Sequence, residues 1–174
     1  LKHFHKTDYG IIGVAGTRYM PLSGRWWDVP SEMIGQVWHE HEGKRWLSTY
    51  CERFGNNIIK CVLVDGLFFA VHRQRLKERF DEDIKGFHFY EVDLCIRNYI
   101  SNTKIGVISN IDVTHLSIGM TNEEWEKNRQ NLVKRLSSKL PLIESIQFKK
   151  LAPIKNKPLV SVIIPVYNYG SSIN

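Results

Sequence analysis

The run Gly10-Ile11-Ile12-Gly13-Val14-Ala15-Gly16 constrains this chain more than any other. Its interior holds no polar side chain, is rich in β-branched residues and is closed by glycines, so it reads as a short buried strand rather than a helix. A strand with apolar side chains on both faces does not sit at a sheet edge, and the chain must supply neighbours for it. Two further stretches qualify. The segment Ile58 to Arg73, "IIKCVLVDGLFFAVHR", has strand character on both sides of Asp65-Gly66, where the glycine permits a sharp bend. The segment Lys104 to Ser109, "KIGVIS", reads as another strand, and "IDVTHLS" after it as a loop or strand exit.

Between these strands lie two helical patterns. Residues 90–101 place Val92, Ile96, Tyr99 and Ile100 on one face, with Asn102 as the stop. "TNEEWEKNRQNLVKRLSSKL" opens with a capping-box pattern from Thr121 to Glu124, puts Trp125, Leu132 and Leu136 on one stripe, and meets Pro141 at its end. Strands mixed with helices in this order predict an α/β fold. Between Thr17 and Gly55 the pattern breaks into glycine, proline, serine and paired tryptophans; "QVWHEHEGKRWLSTY" within it predicts a hairpin turning at Glu42-Gly43.

With 174 residues and 43% hydrophobic side chains, the length predicts one domain with an appended tail and material enough for a core. No apolar run reaches the roughly 18 residues of a membrane span, and "LKHFHKTDYG" lacks the order of a signal peptide, so the chain reads as cytoplasmic. Cys51, Cys61 and Cys95 form no close pair, which argues for reduced, buried thiols and against a disulfide framework or a cysteine-rich zinc site. The formal charge of +6 attracts anions in general. The cations are scattered rather than gathered in a stripe, so nucleic acid is not an expected partner.

Several polar residues invite a chemical role. Glu91 and Asp93 open a helix just after the aromatic run Phe87-His88-Phe89-Tyr90. Read alone, they are ordinary first-turn carboxylates, favoured by the free N–H groups of the helix start. Read with the glycine and aromatics before them, one of them can take a proton from an attacking hydroxyl at the open end of a sheet. His115 is a lone imidazole beside Asp112, and His39 and His41 share one face of the hairpin, too few ligands for a four-coordinate metal site. The crowded tryptophans Trp26, Trp27, Trp38 and Trp46 either pack or line a sugar site.

The stretch from Asp65 to Ser117, "DGLFFAVHRQRL…FDEDIKGFHFYEVDLCIRNYISNTKIGVISNIDVTHLS", resembles the acceptor half of family-2 glycosyltransferases of the GT-A fold, of the bacterial capsule and surface-polysaccharide type. The likeness extends over about Gly10 to Leu140. It implies a partial GT-A-like mixed sheet flanked by helices over residues 1–150. In that family an acidic catalytic base precedes "DLCLR", so the resemblance gives Glu91 the base position and Asp93 the supporting acidic position. It also gives Asp65 and Gly66 the turn that floors the acceptor site and His115 a place near metal or diphosphate; Trp26 and Trp27, flat rings in the irregular insert, are expected to contact the acceptor.

A second likeness lies in the tail. After the linker 151–158, "PLVSVIIPVYNYGSSI" resembles the opening strand of another glycosyltransferase domain over 159–174, with Pro165, Tyr167 and Asn168 in its donor-binding turn. Together these resemblances imply inverting transfer from a nucleotide sugar to a glycan or glycolipid acceptor, helped by Mn²⁺ or Mg²⁺, at the inner face of a membrane without a membrane span. They also imply that the donor-binding half lies before Leu1, that these residues alone are inactive, and that the apolar tail strand invites self-association. The competing reading is a noncatalytic carbohydrate-binding or assembly module in which Glu91 and Asp93 only cap a helix.

Overall fold

The computed structural model describes residues 2–84, 88–116 and 121–144. The linker and tail, with Pro165, Tyr167 and Asn168, lie outside the described residues. A short helix α1 (Lys2–Lys6) leads into β1 (Ile11–Gly13), β2 (Ala15–Thr17) and β3 (Tyr19–Met20). β4 (Met33–His41) and β5 (Lys44–Thr49) form the expected hairpin. Its two-residue turn puts Glu42 at φ 50° and Gly43 at φ 74°, the left-handed pair that matches the twist of the flanking strands. Then come β6 (Ile59–Cys61), β7 (Leu63–Val64), β8 (Phe69–Val71), helix α2 (Tyr90–Ile100), β9 (Ile105–Val107), β10 (Thr114–His115), helix α3 (Glu123–Leu136) and β11 (Leu142–Ile143).

This is an α/β fold with mixed sheets. In one sheet the order is β6-β9-β1-β8, with β1 parallel to β9 and antiparallel to β8. In the second large sheet, β2 lies between β4 and β7, while the far half of β4 pairs with both β5 and β10; β3 and β11 form a separate two-stranded antiparallel ladder. The buried run identified from sequence is thus broken at Val14 and serves both sheets. The same break recurs at Val62, so β6 and β7 follow β1 and β2 from one sheet into the other; the N–H of Val62 donates to the carbonyl of Thr17 at 2.9 Å. The chain therefore bends where the two sheets meet.

Both faces of β1 are covered, as its composition requires. Ile11 joins the main core with Leu63, Leu94, Ile96, Ile105 and Val107, whereas Ile12 packs on the other side with Phe4, Val14 and Ile108. Helix α3 adds Trp125, Leu132 and Leu136 to the main core, the predicted stripe. Its cap is Asn122 rather than Thr121: the Asn122 side chain accepts the N–H of Trp125 at 2.8 Å. An asparagine caps as well as a threonine, and its position one residue later sets the start. The helix stops at Leu136, ahead of Pro141.

Helix α2 buries more than one face. Leu94, Cys95 and Asn98 are buried beside Val92 and Ile96, while Ile100, expected inside, is 37% exposed. All three cysteines are free. Burial pushes the Cys95 thiol up to about 12 and raises Cys61 as well, so both stay protonated and inert.

Candidate active site

Strand β7 ends where Asp65 donates its N–H to the carbonyl of Ala15 at 2.9 Å and its own carboxylate accepts the N–H of Leu67 at 3.2 Å. That hydrogen bond closes a turn with Gly66 at its apex. Phe89, with no side-chain cap to offer, enters α2 with a left-handed backbone, φ 70°. Such a conformation is costly for a bulky residue and concentrates at functional sites. It buries the Phe89 ring 5.0 Å from that of Trp125 and turns Tyr90 and Glu91 toward the Asp65-Gly66 turn.

The approach is close enough that a side chain at residue 66 would displace the Glu91 carboxyl. A Cβ on residue 66 would meet the Glu91 carboxyl carbon at 2.9 Å and Cγ at 3.0 Å. Tyr90 donates its hydroxyl to the carbonyl of Gly66 at 3.4 Å. Glu91 and Asp65 are both half-buried, and each shapes the other's charge. Burial raises the Glu91 carboxyl to about 7, the nearby Asp65 adding to the rise and the N–H groups of Glu91 and Val92 opposing it. Burial raises Asp65 too, against the pull of the Leu67 N–H and of His115 and His39. The phenols of Tyr90 and Tyr50 are raised, chiefly by burial and then by these carboxylates.

The hairpin brings imidazoles to the same place. His115 on β10 pairs in register with His39 on β4, their rings 5.7 Å apart and edge to face. His39 stacks on Trp46 across the hairpin at 5.2 Å, with 12° between the planes. Burial and His115 together hold His39 below its ordinary value. The structure thus gathers Asp65, Gly66, Glu91 and His115, and adds His39, Tyr50, Trp46 and Tyr90, which the sequence reading did not assign. One of these was within reach: counting back from the Glu42-Gly43 turn pairs His39 with Trp46.

Asp93, expected to support Glu91, does not reach the site. It is fully buried and faces α3, with one carboxylate oxygen on Arg97 at 2.7 Å and the other on Arg135. Two residues along a helix is about 200° around its axis, so the pair could not share a face. Trp26, expected at the acceptor, is 7% exposed and part of the main core. Trp27 is 38% exposed and lies against Trp125 at 5.6 Å. The rings of Trp27 and Trp125, with Arg25, Asp28, Asn122 and Glu126, line a cavity of about 370 Å³. A second cavity of about 370 Å³ lies between Phe89 and α3, bordered by Asp83, Asn131 and Arg135. Neither is lined by Glu91 or Asp65.

Among the described residues, no group of three or more His, Cys, Asp or Glu is arranged to hold a metal ion. The resemblance implied a divalent metal, but the two imidazoles and two carboxylates gathered here, one of them bonded to its own turn, are not arranged as a cage.

A family model described as a glycosyltransferase-like family matches residues 1–136. The chain belongs to this glycosyltransferase-like family. The match spans the Asp65-Gly66 turn, Glu91 and the His39–His115 pair. No curated protein matches the chain. Among the described residues no helix is long and apolar enough to cross a membrane.

Proposed function

We propose that this chain carries the acceptor side of an inverting glycosyltransferase that uses a nucleotide-sugar donor, with Glu91 as the general base. The observation that supports it is the Glu91 carboxyl, held near pKa 7 against the Gly66 turn beside Asp65. A base that is half ionised near neutral pH combines a useful fraction of the ionised form with useful proton affinity. Glu91 takes the proton of the acceptor hydroxyl as that oxygen attacks the anomeric carbon, and the bond to the donor's diphosphate breaks on the opposite face. Asp65 keeps Glu91 basic, and the peptide at Gly66 and the Tyr90 hydroxyl fix its position. The Trp27 ring stands among the polar side chains of Arg25, Asp28, Asn122 and Glu126 in a cavity of monosaccharide size, so we place the acceptor's extension there. His115 faces the leaving group in this reading.

Surface polysaccharide as product, a cytoplasmic site and a glycolipid acceptor are the finer parts of the proposal and come from the resemblance. The donor-binding contribution of Pro165, Tyr167 and Asn168 and the role of the tail in self-association stay proposals on the same footing. Residues 1–174 alone are expected to turn over little or no nucleotide sugar with Mn²⁺ or Mg²⁺ present. In a protein that also carries a donor-binding domain, Glu91→Gln should reduce turnover by about 10²- to 10⁴-fold. Near-full activity of that variant would remove Glu91 from the role.

The placement of the Trp27 cavity away from Glu91 favours one second reading, a noncatalytic saccharide-binding module. It predicts that oligosaccharide binding survives Glu91→Gln and is lost in Trp27→Ala, with no transfer under any donor.

A further inference from the structure

The connection from β8 to α2 is the most basic stretch near the site. Between Val71 and Phe80, four cations, Arg73, Arg75, Lys77 and Arg79, accompany one carboxylate, Glu78. Two of these charges are occupied. Arg75 donates to the carbonyls of Thr7 and Tyr9 at 2.7 and 3.0 Å, and Glu78 is bridged to Arg97 at 3.1 Å. Arg73, Lys77 and Arg79 are exposed. None of their side chains has an anionic partner among the described residues, and three cations left unneutralised so close together are an unfavourable arrangement unless an anion is supplied from outside.

The backbone beneath them is fixed. The buried Asn98 side chain accepts the N–H groups of Lys77 and Glu78 at 2.9 and 3.2 Å and donates to the Glu78 carbonyl at 2.9 Å. Arg97 donates to the carbonyl of Arg79 at 2.6 Å. The cations are therefore presented from an anchored loop. Apolar side chains facing water flank them on both sides. Val71 is 37% and Phe80 48% exposed, and the ring of Phe69 lies 6.5 Å from that of Phe80. Strand β8 pairs with β1 alone among the described residues, so this is an open edge of the sheet. The next acid, Asp81, is held by Arg135, and Glu82 and Asp83 mark where the basic stretch ends.

Unneutralised cations flanked by an exposed aromatic and an exposed aliphatic side chain suit a surface with anionic headgroups above and acyl chains beneath. A soluble polyanion satisfies the cations but leaves Phe80 and Val71 in water. We propose that this face, Val71 to Phe80, docks the protein on an anionic lipid surface. Phe80 also contacts the Tyr90 ring at 6.2 Å, and Tyr90 adjoins Glu91, so docking here brings the candidate base next to the headgroup layer. Delivery of a membrane-borne acceptor rests on the glycosyl-transfer reading; the docking itself does not.

The test is co-sedimentation of the full chain with vesicles of phosphatidylglycerol and phosphatidylcholine, against vesicles of phosphatidylcholine alone, at 50 and 500 mM salt. Binding to the anionic vesicles that weakens with salt is expected, falling about fivefold for each cation neutralised and by at least about 100-fold in the combined Arg73→Glu, Lys77→Glu, Arg79→Glu variant, which also adds three repelled carboxylates. A Phe80→Trp variant, folded by its circular dichroism, should show a blue shift of indole emission on the same vesicles, beyond any shift of the parent chain. Equal sedimentation with neutral vesicles, no sedimentation, an unaffected triple variant or no added emission shift from the Phe80→Trp variant would each overturn the proposal. So would duplex DNA competing as strongly as the vesicles. Vesicle binding without any glycosyl transfer would leave this surface standing and count against the catalytic reading alone.

Discussion

Glu91 and Asp93 share a helix, a charge type and a place in its first turn, yet their surroundings have nothing in common. Asp93 faces α3 and has an arginine on each oxygen, so its burial is compensated by two opposite charges. Glu91 faces the Asp65-Gly66 turn, where its charged neighbour is another carboxylate, and burial raises it to about 7. Asp93 is fully buried and Glu91 half-buried, but one is paired and the other is not. A buried carboxylate with paired cations holds structure together; one left beside a like charge raises the cost of ionisation and becomes a base near neutral pH.

Breaking the paired member should have the largest effect. Asp93→Ala leaves Arg97 and Arg135 without their buried partner, and loss of one side of such a group costs about 3 to 5 kcal/mol. Urea denaturation should show this, with α3 loosened; a loss below about 1 kcal/mol, the worth of an exposed pair, would mean that Glu78 and Asp81, which already bridge Arg97 and Arg135, suffice without it.

Removing the unpaired member should do the opposite. Because the folded-state value of Glu91 lies above its ordinary 4.5, the folded protein holds this proton more tightly than the unfolded chain. The associated stability is fully present below pH 4.5 and is lost as pH rises through about 7. At about 1.4 kcal/mol per pKa unit, Glu91→Gln should be more stable than the parent by about 3 kcal/mol at about pH 8, with little difference at about pH 4. Melting curves at the two pH values check it, and a variant destabilised equally at both would contradict the assignment.

Smaller effects sharpen the same contrast. Gly66→Ala places a methyl against the Glu91 carboxyl and should cost about 1 to 3 kcal/mol, the usual range for overpacking. Crossing it with Glu91→Ala should relieve most of that cost; an additive pair would show that residue 66 strains something else. Trp27→Ala, at a half-exposed ring, should change stability least while weakening any saccharide binding measured by calorimetry. Unchanged saccharide affinity would remove the cavity from the acceptor path.

Much of this arrangement was legible in the sequence, and the reasons are local. The hairpin followed from alternation around Glu42-Gly43, α2 and α3 from their apolar spacing, and the buried strand from glycine-bounded Ile11 to Ala15. The two sheets were not legible, because the breaks at Val14 and Val62 leave a continuous apolar pattern while the pairing partners change. In the site, Glu91, Asp65 and Gly66 were legible through their motif. The fate of Asp93 was not, since Arg135 approaches from 42 residues further along. Trp26 and Trp27 look alike in sequence, and only packing sends one to the core and the other to a cavity.

The protonation state of Glu91 is directly measurable. A carbon-detected NMR titration of the glutamate side-chain carboxyls, with Glu91→Gln to assign the resonance, reads the value for this one group in the chain as it stands. A midpoint of about 7 is predicted. A midpoint near 4.5 would show a solvated first-turn carboxylate and contradict the account of Glu91 as the base.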